Sequence, residues 1–359
     1  MDKIRVLIIA KATPSSGGTY NYTRSVIKQL SQSDDLDVHV ISLHCAIGED
    51  SASVAKYSFI NVVSSIFRQR RFDVVLCPTY FLPLFLFRIP KFVTIHDFQE
   101  RYLTENFSLL QRLWRRFTHF VTELASPTYI CETEYVKRDI MKFVGVISAR
   151  ISVVKAPALV AEFNSSLTIT GNTFRDIDIF YPAKFWKHKN HTVILKALAY
   201  LKNKNIIVNA TFTGGSDDSD LIMHSLVNKY ELSDQISIAG AVPFEEIVHF
   251  YGRTKILVMP SYFESISIPI YEAFSADVAV IASSLPGIEE QCGSAACYFD
   301  CDDDITLADS ILRLLNDQEE YAVKVERGRK VLEDLAAENY ADRFKAIVLK
   351  HRLDGDIHC

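Results

Sequence analysis

Short apolar runs rich in Val and Ile alternate along this chain with longer stretches whose apolar residues recur at helical spacing. The first run, IRVLIIA (4–10), leads through a turn, TPSSGGTYN, into YTRSVIKQLSQ, which predicts a helix. LDVHVISL (36–43), FDVVLC (72–77) and KFVTIHD (91–97) predict further strands, and PTYICETEYVKRDIMKF (127–143) reads as strand, turn and helix. Strand–helix alternation of this kind predicts α/β architecture, a parallel, doubly wound sheet with helices on both faces.

The alternation stops at APALVAEFNSSLTITGNTFRD (156–176), a small, polar, aperiodic stretch that predicts a linker. It resumes with DIFYPA (178–183), IIVNATFTGG (206–215), ISIAGAV (236–242), KILVMPS (255–261) and VAVIASS (278–284). Helix-like stretches such as NHTVILKALAYLKN separate them, and the tail from DQEEY to KHRL is almost continuously helical in pattern. The expected organisation is two Rossmann-like domains facing each other across a cleft: residues 1–160, a linker 161–176, a second domain 177–335, and a last helix 336–359.

Composition agrees and removes several alternatives. A chain of 359 residues exceeds the usual single core. Its 48% hydrophobic and 23% charged residues, with 13 Gly and 11 Pro, are globular values. A net charge of -5 argues against a dedicated nucleic-acid binder. The densest apolar run, FLPLFLF (81–87), is far shorter than the roughly 18 residues of a spanning helix. The start, MDKIRVLIIAKATP, breaks its apolar core at Lys11 and fits a buried strand better than a signal peptide. Seven scattered cysteines do not make a disulfide framework, so a cytoplasmic location is expected.

Candidate chemistry gathers in FESISIPIYEAF (263–274), which places Glu264 in a loop after a strand and Glu272 early in a helix. Pro269 suits the first helical turn, where a missing N–H costs nothing. Ligands of open α/β sheets bind beyond the carboxyl ends of the strands. The amides from Ser267 to Ile270 form a helix N-terminus that favours a phosphate, beside two carboxylates able to accept from sugar hydroxyls. A loop acid and a dipole-complementing Glu272 fit the same residues.

The segment YFESISIPIYEAFSADVAVIASSLPGIEEQCGSAACYFD (262–300) resembles the E-x7-E region of the retaining family 4 glycosyltransferases, and YPAKFWKHKNH (181–191) is similar to the segment opening their second domain. The resemblance covers most of the chain and implies the GT-B fold, whose terminal helix crosses back to the first domain. It implies that Glu264 holds donor-sugar hydroxyls and Glu272 the ribose. Lys184 and Lys189 take the places of the basic pair that binds the donor diphosphate, with Ser267 and Ile268 contributing helix-end amides. His96, in TIHDF with Asp97 beside it, is implied near the sugar and the reacting carbon. Gly17 and Gly18 match the first glycine-rich loop, Gly214 a nucleotide-proximal turn, and Val242 the loop that reads the base. The implied donor is a GDP- or UDP-sugar, with no metal and no other cofactor. The implied acceptor is a growing, lipid-linked surface polysaccharide, with a mannosyl- or rhamnosyltransferase-like branch favoured.

Three details stand beside this resemblance. Ser265, Ser267, Asp277 and Ala279 replace residues that are commonly Gly or Pro, which leaves a catalytically degenerate nucleotide or glycan binder as the alternative. His188 and His191 fit an exposed loop or helix cap better than a metal site, Asn190 is a candidate cap, and Asp217, Asp218 and Asp220 are expected as solvated loop acids. SLLQRLWRRFTHFV (108–121) alternates apolar residues with Arg112, Arg115 and Arg116 at helical spacing. That pattern suits either a helix packed on the first sheet or one lying on an anionic membrane.

Overall fold

The computed structural model describes residues 3–13, 17–43, 53–56, 58–156, 163, 174–215 and 217–356, and the chain forms two compact units. Unit 1 comprises Met1–Leu159 with Leu335–Cys359, and unit 2 comprises Val160–Asp334. Of the expected linker, only Phe163 and 174–176 fall among the described residues. Phe163 is 1% exposed and meets the rings of Phe244 and Tyr251 within unit 2.

Unit 1 is built on β1 (Ile4–Ala10), β2 (Leu36–Ser42), β3 (Ser53–Lys56), β4 (Val74–Cys77), β5 (Lys91–Thr94), β6 (Thr128–Cys131) and β7 (Ile151–Val153). They form one parallel sheet in the order β3-β2-β1-β4-β5-β6-β7. Its helices are α1 (Gly18–Ser31), α2 (Phe59–Phe67), α3 (Gln99–Tyr102), α4 (Leu109–Leu124) and α5 (Glu134–Val144). Local chemistry sets their ends. Ser108 and Gln111 make a reciprocal capping box at α4, Thr133 caps α5, and Gly145 closes α5 in the left-handed region at φ 84°.

Unit 2 carries β8 (Ile177–Pro182), β9 (Ala210–Thr213), β10 (Ile236–Gly240), β11 (Thr254–Met259), β12 (Ala279–Ser283) and β13 (Ala296–Phe299), parallel in the order β10-β9-β8-β11-β12-β13. Around them lie α6 (His191–Asn203), α7 (Asp217–Lys229), α8 (Phe244–Arg253), α9 (Ile268–Ser275), α10 (Pro286–Cys292), α11 (Asp304–Asn316) and α12 (Gln318–Ala337). A final helix, α13 (Tyr340–Asp356), belongs to unit 1. Its Tyr340, Phe344 and Val348 are buried, and Phe344 meets Phe92 of β5 at 5.4 Å between ring centres.

Two sequence expectations change here. The run from Ile206 starts its strand only at Ala210, because side-chain amides replace the ladder: Asn209 exchanges bonds with Asp178, and Gln235 accepts from the Val208 N–H at 3.4 Å. The second concerns 108–121, whose apolar side faces outward. The residues that α4 buries are Thr118, His119 and Thr122, whereas Leu109, Leu110, Leu113, Trp114, Phe117 and Phe120 are exposed.

Candidate active site

In unit 2 the expected residues gather beyond the carboxyl ends of β8, β9 and β11, where open sheets bind ligands. The backbone joins the two loops that matter, since the Tyr262 N–H donates to the His188 carbonyl at 2.8 Å. Side chains complete the junction. Lys189 Nζ donates to Glu264 Oε1 at 2.5 Å, and Ser261 Oγ donates to the same oxygen at 2.8 Å. Tyr181 donates to the Lys189 carbonyl at 2.9 Å and lies 3.2 Å from Ser261 Oγ. The pair is largely shielded, with side chains 20% exposed at Lys189 and 13% at Glu264.

Lys184 is exposed, and its ammonium sits 4.9 Å from the centre of the Trp186 ring. Gly214 is required behind it. At φ 99°, a Cβ there would lie 2.9 Å from the Ala183 carbonyl carbon and 3.1 Å from the Lys184 nitrogen. Val242 is half-buried in the loop between β10 and α8.

Helix α9 begins at Ile268 with Pro269 in its first turn, so Ile268 and Ile270 supply its unpaired amides. Ser267 does not, which corrects its expected part. Its N–H donates to Gln291 Oε1 at 2.8 Å, and Gln291 Nε2 donates back to its carbonyl at 2.7 Å. Glu272 lies on α9, and burial pushes its carboxyl up to about 7 against the opposing effect of the Tyr251 hydroxyl. Tyr251 donates to the Pro269 carbonyl at 3.0 Å.

Other expectations need correction. Asn190 stands at the start of α6 without a side-chain capping bond, in a left-handed conformation at φ 51°, and its amide donates to the Cys301 carbonyl instead. His191 opens α6 and is buried, not exposed. It is 4% exposed among the rings of Tyr181, Phe185 and Phe212, and burial pushes it down to about 3, keeping it neutral. Asp220 lies within α7, not in a loop, and is half-buried, its Oδ2 close to Gly240. The side chains of Asp217 and Asp218 lie outside the described residues.

In unit 1, Gly17 precedes α1 at φ 59° and ψ -124°, a backbone region that only glycine enters readily, and Gly18 is the first helical residue. His96 and Asp97 follow β5. His96 Nδ1 lies 3.2 Å from a Glu132 carboxylate oxygen, and Nε2 lies 3.0 Å from the Pro78 carbonyl. The expected donor to a sugar therefore has both ring nitrogens engaged already. Asp97 Oδ1 accepts from the Gln99 N–H and lies 3.5 Å from Arg115.

Four residues with no expected part support these loops. Glu132, directly after the apolar run TYIC, is an acid at a strand end and was legible as such; Gln291 carries no comparable signal. Gly287, second in α10, presses on the Glu264 loop: a Cβ there would lie 2.4 Å from the Ser265 carbonyl oxygen and 2.9 Å from that of Glu264. Ser261, two residues past the end of β11, is fully buried.

Comparison with known proteins finds relatives for both halves of the chain. Residues 16–157 match the model described as Glycosyltransferase Family 4, and residues 170–331 match Glycosyl transferases group 1. The O-antigen chain mannosyltransferase RfbU of Salmonella typhimurium is 23% identical, over 83% of this chain and 87% of the relative. Among solved structures, a glycosyltransferase from Rickettsia africae superposes with a TM-score of 0.72 at 15% identity, covering 99% of this chain and 98% of that one. Anabaena Alr3699/HepE, solved in complex with UDP-glucose, gives 0.71 at 14% identity, over 98% and 100% of the two chains. Matched in both halves and sharing its architecture with these structures, the chain belongs to glycosyltransferase family 4 and is a glycosyltransferase of the GT-B fold.

Proposed function

We propose that this glycosyltransferase moves a hexose, mannose- or rhamnose-like, from a GDP- or UDP-sugar to a growing, lipid-linked O-antigen-type polysaccharide, with retention at the anomeric carbon. The single observation that carries the donor half is the Lys189–Glu264 pair with Ser261 and Tyr181 at the strand ends of unit 2. The mannosyl preference and the polysaccharide acceptor are supported by the name of the Salmonella relative.

In this reading Lys184 and Lys189 neutralise charge growing on the departing diphosphate, and the Ile268 amide at the α9 N-terminus adds to them. Glu264 accepts from sugar hydroxyls, Glu272 from the ribose, and the Val242 loop reads the base. Gly214 lets the backbone approach the nucleotide, while Gly17, Gly18, His96 and Asp97 serve the acceptor side. The two lysines and the helix end supply the positive charge that a metal would otherwise bring, so the reaction needs none. Retention follows a same-face displacement in which the leaving phosphate helps to deprotonate the acceptor hydroxyl.

A lipid-linked acceptor places the enzyme on the inner face of a membrane, and 108–121 is the segment we assign to that contact. Its outward side carries Leu110 at 78% exposure and Trp114 at 57%, with Arg116 exposed beside them and no acid in the segment, while Arg115 turns inward and donates to Glu100 at 2.9 Å. Exposed Phe85 and Leu86 belong to a short turn that packs on α4. Among the described residues no helix is long and apolar enough to cross a membrane.

The donor assignment is tested by thermal shift with GDP, UDP, ADP and their sugar conjugates on the wild type, Glu272→Ala and Lys189→Ala. A ligand that binds only the folded state raises Tm by mass action, by about 2.7 kcal/mol of stability at a hundredfold excess over Kd. We expect one diphosphate family to raise Tm and both substitutions to weaken the effect at least tenfold. Equal responses in all three proteins, or none at millimolar ligand, would sink the assignment.

A further inference from the structure

His96 is held inside unit 1 by two groups that can only accept. A carbonyl oxygen and a carboxylate have no proton to give. A neutral imidazole has one N–H and one lone pair, so it can satisfy Pro78 or Glu132 but must turn a lone pair on the other. The imidazolium satisfies both. Glu132 has matching needs: its side chain is 3% exposed, and a carboxylate so buried requires a nearby cation. His96 is that partner at 3.2 Å.

We propose that Glu132 is a positioning residue that keeps His96 a fixed imidazolium, so that unit 1 brings a permanent positive charge to sugar transfer in place of a neutral donor free to turn toward the sugar. The inference rests on the assignment of His96 to the reaction made above. A charge set in place beforehand needs no reorganisation as charge develops in the transition state.

The surroundings keep the ring from turning. Tyr22 of α1 meets it edge-on, with 4.6 Å between ring centres and an interplanar angle of 80°. The Tyr22 hydroxyl lies 3.3 Å from that of Tyr340 and 3.5 Å from Thr94 Oγ1, so α1, β5 and α13 brace one side. The ionisable groups around the pair are Tyr22, Tyr340, Asp97 on the same loop, and Glu132 after β6. Burial raises both phenols, so they stay neutral. Burial by itself lowers the imidazole, but Glu132, with help from Asp97, more than offsets it, and the outcome is a raised value. With its pKa raised, the ring is charged at lower pH and loses its proton only as pH rises through that value.

The test is histidine 15N NMR on the full chain, with His96 assigned by the resonance lost in His96→Gln. We expect both ring nitrogens of His96 to be protonated at about pH 7.5 in the wild type. In Glu132→Gln the midpoint should fall by at least about one unit, a tenfold loss of imidazolium above it. GDP release from GDP-mannose, followed from about pH 6 to 9, should show the same displacement of its basic limb. At about pH 8 kcat should fall roughly tenfold with little change in KM, while the two proteins converge near pH 6. A neutral His96 in the wild type at pH 7.5 overturns the proposal without any variant having to fold. A displaced titration with an unmoved basic limb overturns the positioning role and counts against His96 in the reaction. Donor binding is judged separately by the thermal shifts of Glu272→Ala and Lys189→Ala.

Discussion

Glu272 ties stability to pH. Its carboxyl ordinarily titrates near 4.5 and is pushed up to about 7 by burial on α9. The folded protein therefore holds that proton longer than the unfolded chain does. Stability from this group is complete below the ordinary value, declines as pH rises, and is lost by the time the folded group ionises. Glu272→Gln, which cannot ionise, should gain on the wild type between about pH 5 and 7.5 in the absence of nucleotide, reaching on the order of 2 kcal/mol. Melting temperatures of both proteins across that range check it, and a constant difference would refute it. Glu264 and Glu272 stood out in the sequence from the loop and helix that follow a strand of unit 2, whereas Lys189 was singled out only by the resemblance. The supports of Ser267 and His96 did not stand out. Gln291 reaches Ser267 across 24 residues and Glu132 reaches His96 across 36, separations that local pattern does not encode.

At the scale of elements, α4 shows what periodicity leaves open. Apolar residues at helical spacing predict a two-faced helix, but the face turned inward depends on neighbours. Here Thr118, His119 and Thr122 face in, with His119 stacked on Phe98 at 4.8 Å and 2.9 Å from the Tyr80 hydroxyl. The wild type should sediment with phosphatidylglycerol vesicles, with a blue shift of Trp fluorescence, and much less with phosphatidylcholine ones. Leu110→Ser combined with Trp114→Ser should lower the partition at least tenfold while leaving Tm nearly unchanged, since both residues are exposed. Equal partition of the two proteins would remove α4 from the membrane. The strands β3, β7 and β13, at SVAK, ISV and ACYF, escaped the sequence reading. Asp277, one of the residues standing where Gly or Pro is common, takes a left-handed conformation after α9 at φ 55°, with its carboxylate held by Arg329 at 2.7 and 2.8 Å.

For the whole molecule, the alternation of strand and helix conveyed two parallel sheets, but their strand order came only with the structure. Unit 1 is assembled from both ends of the chain. A chain ending after Asn339 would expose the pocket now filled by Tyr340, Phe344 and Val348, a loss on the order of 5 kcal/mol. Hydrogen exchange should then show β1 and β5 losing protection while β8 and β11 keep theirs; uniform loss would contradict independent cores. The Lys189–Glu264 pair also bears on life among competing solutes. On the proposed donor assignment, a lysine already matched by a carboxylate is by itself a poor partner for inorganic phosphate or another small anion. Such an ion must displace Glu264 and can give it nothing in return, whereas a sugar diphosphate brings an anion for the lysine and hydroxyls for the acid together. On that assignment the pair would act as a coincidence filter, discriminating against lone anions before any chemistry begins.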